Sequence, residues 1–290
     1  MKRCVILILF ILFISNDAKS QLFWKISKPN SLQTSYLFGT HHLIPKEAIP
    51  KFDLILDLCC QSEVLIGEVV MNNSRENVDL MNYSTMNVNT IQNLVSKQDF
   101  KMLDREYMKL LGFGIDYFNN FKPMALISMQ QIHWYLIENG LSKQPESIDA
   151  ILQSAVVANG KQIVGLETLE EQLSLLMNTL SVERQATILV ESVKNKSNEL
   201  LNSKRLQNAY LQGDLSYIYK MWLSDTSLTE KEKNEFSDIR NLKWMPKIND
   251  LVSEKQCFIA VGYVHLLGDN GLINQLKKAG YLLEPVNLFN

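Results

Sequence analysis

Two stretches near opposite ends of the chain are built alike, and any fold must account for both. Tyr36-Leu37-Phe38 leads into Gly39-Thr40-His41-His42, and Phe258-Ile259-Ala260-Val261 leads into Gly262-Tyr263-Val264-His265. Each is a short apolar run with the pattern of a buried strand, then Gly-x-x-His, then a segment that reads as helical. Open α/β sheets keep their ligand crevices at the carboxyl ends of strands, so both loops would aim an imidazole at such a crevice. Gly39 and Gly262 are expected to shape these loops by letting the backbone turn where a side chain would obstruct it. Of the 4 histidines, His41, His42 and His265 lie here, and only His133 lies elsewhere.

Further strand ends carry carboxylates. Val64 to Val70 is an apolar run interrupted by Glu68, and Gln162-Ile163-Val164-Gly165-Leu166-Glu167-Thr168 repeats the order strand, Gly, Glu. If these strands are neighbours, His42, Glu68, Glu167 and His265 converge on one rim. Two imidazoles and a carboxylate suit a divalent metal with open coordination positions. Such an ion lowers the pKa of a bound water enough to give a hydroxide nucleophile near neutral pH, and a spare carboxylate then serves as general base. Each residue also has an ordinary reading. A strand-end His often just makes a hydrogen bond, Glu68 fits a salt bridge, Glu167 fits capping or ion pairing, and Arg240 follows a charged helical stretch. A carboxylate inside an apolar run nonetheless needs a partner or a metal. His41 reads as supporting or exposed, and His133, beside Trp134 in a helix, as a packing residue.

The rest of the chain supplies the scaffold. Leu22 to Ser27 and Ser35 to Gly39 read as a hairpin around the turn cluster Lys28-Pro29-Asn30-Ser31. A helix is expected from Pro45 to about Cys60, and irregular chain from Met71 to Thr90. Helices are expected over Asp99 to Leu111, Pro123 to Asn139 and Glu146 to Val157, through about Lys220, and as one element from Thr229 to Ser253. Thr168 with Glu171 has the spacing of a capping box. Gly268 to Gly271 reads as a tight turn, Leu272 to Ala279 as a short helix closed by Gly280, and Tyr281 to Val286 as a last strand. This gives one α/β domain over residues 21–290. Its central mixed sheet joins the N- and C-terminal halves, and a helical insertion over about 87–253 is interrupted by a strand near 162–168.

The first 20 residues have the pattern of a secretory signal: Lys2 and Arg3, the apolar run Val5 to Ile14, then Ala18-Lys19-Ser20. The apolar run falls short of the ~20 residues a membrane span needs. The expectation is export to the periplasm or the extracellular space, with no membrane span after cleavage; an uncleaved anchor is the alternative. A formal net charge of -2 with no basic run gives nucleic-acid binding no electrostatic support. Cys59, Cys60 and Cys257 remain after the leader, an odd number that does not make a disulfide framework. Asn72-Asn73-Ser74, Asn82-Tyr83-Ser84 and Asn195-Lys196-Ser197 match the glycosylation pattern.

The stretch Ser35 to His42, Gly67-Glu68, Gly165 to Thr168 with Glu171-Gln172, Arg240-Asn241, Val261 to Leu266 and Gly271-Leu272, in this order, resembles the TraB/PrgY/GumN family, which includes the Tiki metalloproteases. The resemblance implies a fold akin to the erythromycin-esterase and ChaN-like proteins with a helical insertion, and metal-dependent hydrolysis of peptide bonds. Matched by position, it makes His42, His265 and Glu68 the metal set, with Mn, Co or Zn as plausible ions. Glu68 and Arg240 become the catalytic groups. His41 and Tyr263, at the variable positions, and Glu167 are expected to face the substrate, a peptide or protein. The competing readings are a non-catalytic metal- or haem-binding protein, and a factor that sequesters a signal peptide or assists polysaccharide export. The oligomeric state is open.

Overall fold

The computed structural model describes residues 21–29, 33–71 and 79–288. The leader, Asn30 and Ser31 of the first turn, and Asn72-Asn73-Ser74 lie outside these residues. The fold is mixed α/β, with a sheet of 6 strands in the order β4-β3-β5-β2-β1-β6. The strands are β1 (Phe23–Ser27), β2 (Thr34–Thr40), β3 (Val64–Gly67), β4 (Gln162–Gly165), β5 (Cys257–Gly262) and β6 (Leu282–Pro285). β2, β5, β3 and β4 run parallel to one another. β1 is antiparallel to β2, as the hairpin pattern predicts, and β6 is antiparallel to β1.

Sequence pattern explains which strands sit centrally. β3 and β5 are apolar throughout, and their residues are buried up to the final glycine, as expected of strands covered on both faces. β6, at one edge, is largely exposed. The cross-chain step is β5, which enters between β3 and β2. Its Phe258 lies opposite Tyr36 on one side and Leu65 on the other. The parallel strands therefore present their carboxyl ends on one rim.

Two apolar clusters form. One packs helices against the sheet around Phe38, Ile66, Trp244 and Phe258. The other lies wholly within helices and their connections, around Leu103, Tyr107, Leu126 and Leu189. The helices from Leu80 to Glu254 fall between β3 and β5 in sequence, with β4 breaking into the run.

Three element readings change. The helix expected from Pro45 is a 3-10 turn, Lys46–Ala48, followed by a separate helix, Phe52–Gln61. Pro50 separates them: it has no N–H to donate and holds Ile49 extended, at φ -88 and ψ 118. The single helix expected from Thr229 to Ser253 is two, Glu230–Phe236 and Asp238–Glu254, broken at Ser237 with φ -127 and ψ -67. The stretch read as irregular contains the short helix Leu80–Ser84, which Asp79 caps by accepting the Met81 N–H at 3.0 Å.

Candidate functional site

β2, β3, β4 and β5 deliver Thr40 to His42, Glu68, Glu167 and Gly262 to His265 to the same rim. The glycines act differently from expectation. Neither Gly39 nor Gly262 has a positive φ, so neither is needed to turn the chain. Gly39 permits close approach instead. A Cβ there would lie 3.1 Å from both Tyr263 Cα and Leu266 Cδ2, so the two Gly-x-x-His segments touch through this position. Gly262 donates its N–H to Glu68 Oε1 at 2.7 Å, and a Cβ would come within 3.2 Å of the same oxygen.

The centre of the rim is Arg240, from helix Asp238–Glu254, which is 7% exposed. Its Nη2 donates to Glu68 Oε2 at 2.7 Å and to Glu167 Oε1, and its Nε to Glu167 Oε2 at 3.3 Å. Nη1 faces His265 Nε2 at 3.0 Å. Trp244, one helical turn further on, stacks under the guanidinium at 4.7 Å and donates Nε1–H to Glu167 Oε2 at 3.3 Å. Gln172 donates to Glu68 Oε2 at 2.9 Å. Glu171, just before it, closes the capping box with Thr168 as its spacing predicts.

His265 is buried in a 3-10 turn, Tyr263–Leu266. Asn241 sets its tautomer. The Asn241 amide nitrogen donates to the carbonyls of His265 at 3.1 Å and Asn270 at 3.0 Å. Its oxygen therefore accepts from His265 Nδ1, at 2.8 Å, which leaves a lone pair on Nε2 turned toward Arg240 and Glu68. Burial lowers the His265 pKa to about 4, with Arg240 and His42 adding to the effect and Glu68 opposing it. The ring is thus neutral at neutral pH. Burial works against ionisation of Glu68, but His265, Arg240, the Gly262 N–H and His42 outweigh it and hold Glu68 at about 2. With His265 uncharged at neutral pH, Arg240 is the fixed charge that keeps Glu68 ionised.

His42 sits at the solvent side of the rim, with a side chain 68% exposed and Nδ1 3.3 Å from Asp149 Oδ2. Asp149, in helix Ile148–Ala158, also accepts from Thr40 Oγ1 at 2.9 Å. Its Oδ2 is buried and otherwise without a hydrogen-bond partner among the described residues. The Asp149 carboxylate raises the His42 pKa above its usual value. His41 points the other way. It stacks on Tyr263 at 5.5 Å and meets Tyr210 edge-on at 5.3 Å, while Tyr210 donates to the Gly39 carbonyl at 2.9 Å. Leu43 N–H donates to His41 Nδ1 at 3.2 Å. Burial lowers the His41 pKa to about 4, and His42 beside it adds to this.

Can these residues hold a metal? Two ligands of one tetrahedral ion lie roughly 3.4 Å apart, given bonds of about 2.1 Å. Glu68 Oε1 and His265 Nε2 are 3.8 Å apart, and Asn241 fixes the ring tautomer as an outer partner of a metal ligand does. The donor set therefore fits a divalent ion in kind. As the side chains stand, Arg240 fills the space between the donors and His42 rests on Asp149. Among the described residues no group of three His, Cys, Asp or Glu side chains is gathered at metal-binding spacing.

Sequence reading missed Asp149, and it gave Gln172 and Asn241, quoted for the resemblance, no role as partners of the rim. Asp149 follows the N-cap Ser147, where an acidic residue is ordinary, so it gave no signal. Gln172 and Asn241 each stand next to a residue singled out in the sequence. His133 bonds the Met129 carbonyl at 2.8 Å within its helix. Among the described residues Cys59, Cys60 and Cys257 are free, and burial raises the thiol pKa of Cys59 and, to about 12, that of Cys257.

A model of the TraB/PrgY/gumN family matches residues 22–285. No curated protein and no solved structure matches the chain.

Proposed function

The chain belongs to the TraB/PrgY/gumN family, and on that basis we propose that it is an exported metal-dependent hydrolase acting on peptide bonds, in the periplasm or outside the cell. The observation that carries the reading is the meeting of Glu68, Arg240 and His265, from distant parts of the chain, around the lone pair of His265 Nε2. His42, Glu68 and His265 would hold the ion. When bound, it would supply Lewis-acid polarisation of a carbonyl and a more acidic water.

The chain's own groups have separate tasks. Asn241 holds the His265 tautomer with Nε2 free of its proton. Asp149 orients His42 and keeps its Nδ1 proton, so that Nε2 is the donor atom. Glu68, ionised, can accept a proton from water. Arg240 carries a fixed positive charge with a planar fork, suited to an oxyanion that develops on a substrate carbonyl. Withdrawal of Nη1 from His265 is required for His265 to serve as a ligand.

That last requirement favours one competing reading. If Arg240 keeps its bond to His265, the rim is a closed charge cluster and the protein binds a peptide without cutting it. The deciding experiment is digestion of a peptide library by the purified protein supplied with Mn, Co or Zn, beside a chelated control. The expected result is metal-dependent cleavage that His42→Ala, His265→Ala and Glu68→Gln abolish and Arg240→Lys reduces in part. Wild-type turnover in both histidine variants would overturn the hydrolase reading.

A further inference from the structure

A cleft of about 570 Å³ opens beside the rim, and Glu68, Arg240, His42 and His265 do not line it. Its floor is His41 and Tyr263, the variable residues of the two Gly-x-x-His segments. Its walls come from three helices: Trp134 from Pro123–Glu138, Leu206 from Lys196–Leu211, and Trp222 from Leu215–Ser224. The volume lies in the range of small-ligand sites, about 300–1,000 Å³.

The walls are rigid where it matters. Trp134 is 5% exposed and donates its indole N–H to Glu106 at 2.9 Å. Glu106 is in turn fixed by Lys196 at 2.6 Å. On the floor, His41 and Tyr263 are locked in a stack whose planes differ by 12°. Lys196 Nζ lies over the Trp134 ring at 5.4 Å and Lys233 Nζ over the Trp222 ring at 5.9 Å. Leu206, Met221 and Tyr263 of the same lining are apolar or aromatic and select for bulk and apolarity.

The far wall has a different chemistry. Glu199 and Asp225 both line the cleft. Burial raises the Glu199 pKa, and Asp225 nearby raises it further. Asp225 accepts the Ser227 N–H at 2.8 Å, but neither carboxylate is ion-paired within the described residues. Arg205, on the same helix as Glu199, also borders the cleft. Like charges held together are relieved by a cation brought between them.

We infer that this cleft is a specificity subsite for a polypeptide: it takes a bulky apolar or aromatic side chain against Tyr263, Leu206 and Trp222, and an adjacent basic residue against Glu199 and Asp225. The inference rests on the hydrolase reading for the identity of the substrate, because His41 and Tyr263 connect the cleft to the rim. It adds which peptides are chosen.

Binding is measured by calorimetry in chelator, so that the readout does not depend on turnover. The probes are the acetylated, amidated peptides Gly-Ala-Phe-Lys-Ala-Gly, Gly-Ala-Ala-Lys-Ala-Gly and Gly-Ala-Phe-Glu-Ala-Gly. The first should bind about tenfold more tightly than either of the others, as expected for an aromatic anchor and a matched charge. Trp222→Ala should erase the preference for Phe over Ala. Glu199→Gln combined with Asp225→Asn should erase the preference for Lys over Glu. Leu206→Trp, which fills the cleft from a different wall, guards against misfolding of the first variant and should weaken the two Phe peptides but not the Ala peptide. Equal binding of all peptides, or preferences unchanged in the variants, would overturn the subsite. Selective binding without cleavage in any metal would leave the subsite standing and remove the hydrolase. Metal-dependent cleavage without selectivity would do the reverse.

Discussion

Arg240 Nη1 lies 3.0 Å from His265 Nε2, a contact between two basic groups. It holds because Asn241 Oδ1 accepts the hydrogen bond of Nδ1–H, which keeps the proton there and leaves Nε2 as an acceptor. The arrangement also fixes the charge count: Arg240 is the fixed cation facing both Glu68 and Glu167.

Removal of that cation should therefore cost more than removal of either carboxylate. Arg240→Met leaves Glu68 and Glu167 buried and unneutralised, and a loss of roughly 3–5 kcal/mol is expected. Glu68→Gln leaves Glu167 to pair with Arg240, so its cost should be smaller. Urea unfolding of the two single variants and the double variant gives the coupling directly. Equal losses in the singles would mean that Glu167 does not share the guanidinium.

Asp149 is the group that raises the His42 pKa. Asp149→Asn should lower it, and NMR titration of the His42 ring protons is the measurement. In the proposed metal site, the same change should weaken binding of Mn or Zn by about 10–100-fold, the usual effect of losing an outer partner of a ligating histidine. An unchanged His42 titration would show that the contact at 3.3 Å is incidental.

Acid stability should depend on a pair far from the rim. Arg184 holds Glu232 in a two-point contact at 2.9 and 3.0 Å. This contact and the Thr229 N–H keep the Glu232 pKa at about 2, below the ~4.3 of an unfolded glutamate. A depressed folded pKa gives stability that is present above the unfolded value and is lost as pH falls toward the folded one. The wild type should thus lose more stability than Glu232→Gln between pH 4.5 and 2. Parallel curves of urea midpoint against pH would refute the pairing.

Gly39→Ala tests the close approach of the two Gly-x-x-His segments. The added Cβ would meet the Tyr263 backbone at 3.1 Å, and backbone yields less readily than a flexible side chain. A loss of about 1–3 kcal/mol is expected, read as a lower thermal midpoint. Gly112→Ala would be strained for another reason, its φ of 76, so the two need separate interpretation.

Much of the fold is readable along the chain. The β1–β2 hairpin, the strand-glycine endings, the Thr168–Glu171 capping box and the helix stops at Gly140 and Gly160 follow from periodicity and turn chemistry, which act over a few residues. Of the two misjudged helices only the first has a local cause. Pro50 was present in the sequence to be weighed, whereas the break at Ser237 follows no breaker residue. The candidate rim was only half readable. His42, Glu68 and His265 stand out because they end apolar runs, but Asp149 stands where any helix has an acid.

What the sequence determined by itself was therefore the set of elements and the polar residues at their ends. Local backbone preferences and apolar periodicity are written into neighbouring residues and need no distant partner. What only the tertiary structure decided was adjacency: that β5 enters between β3 and β2, that Arg240 closes on Glu68 and His265, and that three helices wall a cleft over His41 and Tyr263. Strand order is set by which arrangement buries the apolar faces of the whole sheet at once, and that sum over distant residues has no signature at any one of them.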